Sequence, residues 1–91
     1  MNKQALLTAV EAALAGDWHK AHNIAQDYSD DVTNDNIANW IHAVLHKIKG
    51  DEWNSKYWYA RTNNNAGHGK KYEDFSDARE ELIAIQRQLN T

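Results

Sequence analysis

With 91 residues, a net charge of −3 and no cysteine, the chain reads as one domain with no disulfide staple and no thiolate to act as nucleophile or metal ligand. Its acids are spread along the sequence and its only basic doublet is Lys70–Lys71, which excludes the basic face a nucleic-acid partner requires. The N-terminal stretch has no long apolar run and carries Glu11, so neither a secretory leader nor a membrane span is expected, and the expectation is a cytoplasmic protein. A chain this short buries only roughly 60–65% of the surface its unfolded form exposes. Four tryptophans and four tyrosines therefore matter, because each can bury roughly 150–250 Å². Proline is absent and glycine is confined to positions 16, 50, 67 and 69, a composition of helices with few breaks.

In chain order, a first helix is expected over about residues 3–15, with Leu6, Leu7, Val10 and Leu14 at helical spacing. Gly16–Asp17 follows. Glycine past a helix end takes the left-handed conformation that closes the last turn, and the aspartate accepts from the free amides that open the next helix. A second helix then runs over about 18–28, with Trp18, Ala21, Ala25 and Tyr28 on one face. "SDDVTND" is a polar loop rich in capping residues. A third helix covers about 36–49, with Ile37, Ile41, Val44, Leu45 and Ile48 inward, and ends on a second corner, Gly50–Asp51. A fourth runs over about 52–62. "NNNAGHGKK" reads as a loop. The last helix runs over about 74–89, where Phe75, Ala78, Leu82, Ile85 and Leu89 form the clearest apolar stripe; the capping-box spacing of Asp77 and Glu80 sets a slightly later start. The acids at 73, 74, 77, 80 and 81 belong to the opening of that helix, where negative charge complements its dipole.

The two Gly-Asp corners lie 34 residues apart, and a shift of 34 also aligns Ala9 with Ala43, Val10 with Val44 and Ala21 with Ser55. "GDWHKAHNIA" resembles the second-helix opening of the tetratricopeptide repeat, whose period is 34 residues. Gly16, Asp17, Trp18 and Ala21 match that pattern. In the second unit Gly50 and Asp51 match, Ser55 replaces the alanine, and Trp53 is displaced by one from the aromatic position; the repeat-ending proline is missing from both. The resemblance covers about residues 3–62. It implies an all-α fold of two stacked antiparallel hairpins, with the last helix capping the open end. "WIHAVLHKIKGD…NSKYWYAR" also resembles small bacterial proteins without an assigned activity, and imports none.

Two groups of residues invite a functional reading. His42 and His46, four apart, share one helix face, and a stacked hairpin brings His22 alongside them. Three imidazoles suit a zinc-type ion. His19 is a weaker fourth, and Ala43 stands where a zinc protease would carry its glutamate. The plainer reading has the histidines flanking an apolar stripe and hydrogen-bonding across the hairpins. Tyr57, Trp58 and Tyr59 lie about 100° apart around one helix and cannot share a core. Tyr59 packs inward, at least one of the others is expected in the core or under the cap, and Asn54 and Arg61 flank Trp58 with polar groups. "AGHGKK" lacks the parts of a phosphate loop, His68 in it reads as solvated, and no nucleophile motif or carboxylate pair stands out.

Two functions follow from these residues. The first is a protein-interaction module without catalysis or cofactor, which binds a protein or peptide, or a second copy of the chain, through His22, His42, His46, Asn54, Tyr57, Trp58 and Arg61. The second is a small-ligand or metal site, hydrolytic in one version, built from His22, His42, His46 and Trp58.

Overall fold

The computed structural model describes residues 3–30, 33–62 and 69–91. They form five α-helices: α1 (Lys3–Leu14), α2 (Trp18–Tyr28), α3 (Asn36–Ile48), α4 (Glu52–Arg61) and α5 (Ala78–Leu89). A 3-10 turn at Tyr72–Asp74 precedes α5, and there is no strand among the described residues. None of these helices is long and apolar enough to cross a membrane. Asp31 and Val32 of the polar loop, and residues 63–68, which include His68 and the first half of "AGHGKK", lie outside the described residues.

Both Gly-Asp corners have the expected conformation, and they are copies of each other. Gly16 has φ +88° and Gly50 φ +75°. At the first corner Gly16 N donates to Ala13 O and Asp17 N to Ala12 O; at the second, Gly50 N donates to Lys47 O and Asp51 N to His46 O. These pairs satisfy carbonyls that the helix ends would otherwise leave open. Asp17 then accepts from Lys20 N and Asp51 from Asn54 N, with backbone angles of −90°, 76° and −90°, 77°. Each corner folds its chain back, so that α1 packs on α2 and α3 on α4, while α2 against α3 joins the two hairpins. Asp35 opens α3 by accepting from Ile37 N at 2.8 Å and Ala38 N at 3.1 Å.

The residues aligned by the 34-residue shift sit in the core: Ala9, Val10, Ala43, Val44, Ala21 and Ser55 are all fully buried. Ser55 is tolerated there because its hydroxyl donates to Ala43 O at 2.7 Å. Ile48 departs from expectation. It is 46% exposed, because the last turn of α3 runs past the packed region into the corner.

The start of α5 is also later than the apolar stripe suggests. Asp77 accepts from Arg79 N at 2.8 Å and opens the helix, leaving Phe75 in extended backbone ahead of it. Leu82, Ile85 and Leu89 enter the same core as Leu6, Val10, Ile41 and Leu45, each such side chain contributing about 1.5–3 kcal/mol. The helix lies against α1 and α3, so it covers the side those two share and not the outer end of the second hairpin. Glu81 corrects the reading of the acids as dipole partners. It is wholly buried and accepts from Lys47 Nζ (2.9 Å), Trp40 Nε1 (2.7 Å) and the Tyr59 hydroxyl (2.7 Å), tying α5 to α3 and α4. Burial and this carboxylate push the Tyr59 phenol well above its ordinary range.

Candidate functional site

Three helices send side chains four residues apart towards one cavity. On α2 the series is His22, Gln26, with Trp18 one turn earlier stacked behind His22; on α3 it is His42, His46; on α4 it is Asn54, Trp58. The helical period puts each series on one face, and the packing of α2 and α4 against α3 turns those faces together. The cavity is about 340 Å³, with Ser29 and Asp30 at the end of α2 completing its wall.

The rings form a continuous aromatic assembly. Trp18 stacks on His22 (centroids 4.7 Å, 12°), and His22 stands edge-on to His42 (4.7 Å, 89°) and His46 (5.4 Å, 90°). His42 is sandwiched between His46 (5.0 Å, 20°) and Trp58 (3.9 Å, 15°). Trp18 is itself fixed, because its Nε1 donates to Leu45 O at 2.7 Å. Rings held by neighbours on both faces keep their orientation, and binding geometry needs that.

Hydrogen bonding decides which nitrogen of His42 is free. Ser29 Oγ donates its single proton to Ala25 O at 2.5 Å. It can therefore only accept from His42 Nδ1, 3.0 Å away. Nδ1 carries the hydrogen, and Nε2 keeps its lone pair. On His46 the Nδ1 lies 3.6 Å from Asp51 Oδ2, and a carboxylate there favours a proton on the same nitrogen. Asp51 is held in turn by Asn54, whose Nδ2 donates to Oδ2 at 2.6 Å; this bond is the main reason the Asp51 carboxyl is depressed. Histidines that bind metal commonly donate their other ring nitrogen to such a partner.

All three imidazoles are kept neutral. Burial, then the neighbouring His22, His46 and Arg61, push the His42 imidazole down to about 3. Burial lowers His22, with His46 and His19 adding to it, and burial lowers His46 against the opposing pull of Asp51. Neutral imidazoles keep the lone pairs a metal takes up. One ligand atom from each of His22, His42 and His46 lies within 4.8 Å of the others. A triangle of that side has its centre about 2.8 Å from each corner, so an ion at about 2.0–2.1 Å draws each ring inward by less than about 1 Å. His22 and His46, only partly buried, have room for that movement.

Of the residues singled out from sequence, His22, His42, His46, Asn54 and Trp58 meet at this cavity. His19 stands outside the cluster, edge-on to Trp18 on the exposed side. Tyr57 points away, 46% exposed and stacked on Trp53, whereas Trp58 is partly buried against the core, as expected of one of the two. Arg61 sits over Trp58 at 5.2 Å and over Tyr57 at 5.9 Å, and its Nη2 donates to Asn34 Oδ1 at 3.2 Å. Sequence reasoning did not place Trp18, Gln26, Ser29, Asp30 or Asp51 at the site. The four-residue spacing of Trp18 and Gln26 from His22 is the signal that could have found two of them.

Neither a family model, nor a curated protein, nor a solved structure matches this chain.

Proposed function

We propose that the chain is a metal-binding protein, and that His22, His42 and His46 hold a divalent transition-metal ion of the zinc type. One observation carries the reading: three neutral imidazoles from two hairpins present ligand atoms within 4.8 Å of one another. The set is nitrogen-only, which suits zinc, copper, nickel or iron better than magnesium or calcium. Zinc titration by calorimetry tests it. One ion per chain is expected, with affinity reduced at least about 100-fold in His42→Ala and in His46→Ala; affinity unchanged in both variants would remove these residues as ligands. In this reading the site binds, and no catalytic role is assigned.

A second reading has its own observation. Trp53 and Tyr57 on the outer side of α4 are 74% and 46% exposed and stacked at 6.0 Å. Aromatics of this kind dominate binding hot spots, and the tetratricopeptide-like sequence pattern implies a scaffold for protein or peptide partners. Here Tyr57 and Arg61 belong to an interaction surface separate from the histidine cavity. Light scattering after size exclusion, comparing the natural chain with Trp53→Ala, tests its self-associating form. A monomer at high micromolar concentration removes that form.

A further inference from the structure

We propose that the metal centre keeps a coordination position for an exogenous ligand, and that this ligand is the carboxylate of a small organic acid seated in the cavity. The inference rests on the metal reading above and goes beyond it in naming what the metal binds. Zinc sites closed by four protein ligands are structural, whereas three protein ligands leave a position for water or another small ligand. Among the described residues, no aspartate or glutamate oxygen joins the three-histidine cluster. Asp30, on the cavity wall, has Oδ1 engaged by Thr33 N at 2.7 Å. Asp51 is engaged by Asn54 and faces the far nitrogen of His46.

The charge balance selects an anion. Three neutral imidazoles leave a divalent ion with its full charge in a partly buried place, so an anionic oxygen ligand is favoured. The walls then separate carboxylate from phosphate. No lysine or arginine lines the cavity, and Asp30 does; the Arg61 guanidinium, close enough to act on His42, lies over Trp58 and donates to Asn34 Oδ1. A phosphate dianion therefore has no cationic partner within the cavity wall besides the metal and meets a like charge there. A monoanionic carboxylate needs only the metal. Beyond the metal position lie the Trp58 indole, which suits an apolar body, and the amides of Gln26 and Asn54, which suit its polar edge. The cavity volume, about 340 Å³, is at the small end of ligand sites and suits a small organic acid.

Cobalt(II) loaded into the full chain reads both levels at once, because its visible absorption reports coordination. The expected result is a set of cobalt bands that benzoate shifts saturably, while inorganic phosphate at equal concentration and ionic strength leaves them in place. Gln26→Ala should weaken benzoate about fivefold, the value of one hydrogen bond of about 1 kcal/mol, with the bands of the benzoate-free protein unmoved. Cobalt bands that ignore benzoate would overturn the inference and leave the metal centre standing. An equal response to phosphate would overturn the choice of carboxylate. Benzoate affinity unaltered in Gln26→Ala would overturn its placement in the cavity. Failure of cobalt to bind would remove the metal reading itself, and this inference with it.

Discussion

A serine hydroxyl has one proton to give, and at Ser29 it goes to Ala25 O. That choice makes Ser29 an acceptor for His42 and fixes the tautomer of a ring that is only 3% exposed. The same burial makes His42 a source of acid sensitivity. Its folded value near 3 lies below the ordinary histidine value of 6.5, so between those limits the unfolded chain binds the extra proton. Stability of the metal-free protein is thus fully present above about pH 6.5 and is lost progressively as pH falls towards 3. The groups facing His42 work in the same direction: His22 from α2, His46 from its own helix and Arg61 from α4 all disfavour a second positive charge there. Between pH 7 and pH 5 the loss from His42 is about 2 kcal/mol. Urea midpoints measured across that interval should fall by at least that amount in the natural chain and fall less steeply in His42→Leu, where His22 and His46, also lowered by burial, still titrate. A midpoint independent of pH in the natural chain would contradict the buried neutral imidazole.

At the scale of elements, the corners were legible because their chemistry is local. A glycine and an aspartate at a helix end specify a left-handed residue and an N-cap without reference to anything distant. No atom lies within 4 Å of a Cβ built at Gly16 or Gly50, so the requirement for glycine is the backbone angle alone. Gly50→Ala should then cost about 1–2 kcal/mol, read as a lower thermal midpoint with the helical signal retained. The role of Glu81 was not legible. Its spacing near the start of α5 looks like an ordinary first-turn acid, and only the placing of α5 across α3 brings Lys47, Trp40 and Tyr59 to it. Removing one member of a buried ion pair strands the other, so Glu81→Ala is expected to destabilise by about 3–5 kcal/mol in urea unfolding. The exposed pair Glu52–Lys56 is the control, and Glu52→Ala should leave the midpoint where it is. Likewise Ile48 had the right spacing for the core, but periodicity does not tell where the partner helix stops.

Across the whole molecule, the candidate site belongs to no single hairpin. His22 comes from the first, His42 and His46 from the second, and their convergence depends on α2 lying against α3. The i,i+4 pair on α3 could be read from sequence; the distance from it to His22 is a property of packing, and so is the coupling that follows. An ion held by both hairpins binds the folded chain and not the unfolded one, so metal should stabilise the entire fold by RT ln(1 + [L]/Kd), about 2.7 kcal/mol at a free concentration of 100 Kd. For a domain of this size each kcal/mol moves the thermal midpoint by about 4–8 °C, giving a rise on the order of 10–20 °C with zinc. Differential scanning calorimetry with zinc, and again with excess chelator, measures it. The chelator should restore the metal-free midpoint, and His22→Ala should reduce the rise sharply, because it leaves both ligands on α3 and cuts the bridge to α2. A full rise in His22→Ala would mean that the ion sits on one helix only and that the two hairpins are held together by their cores alone.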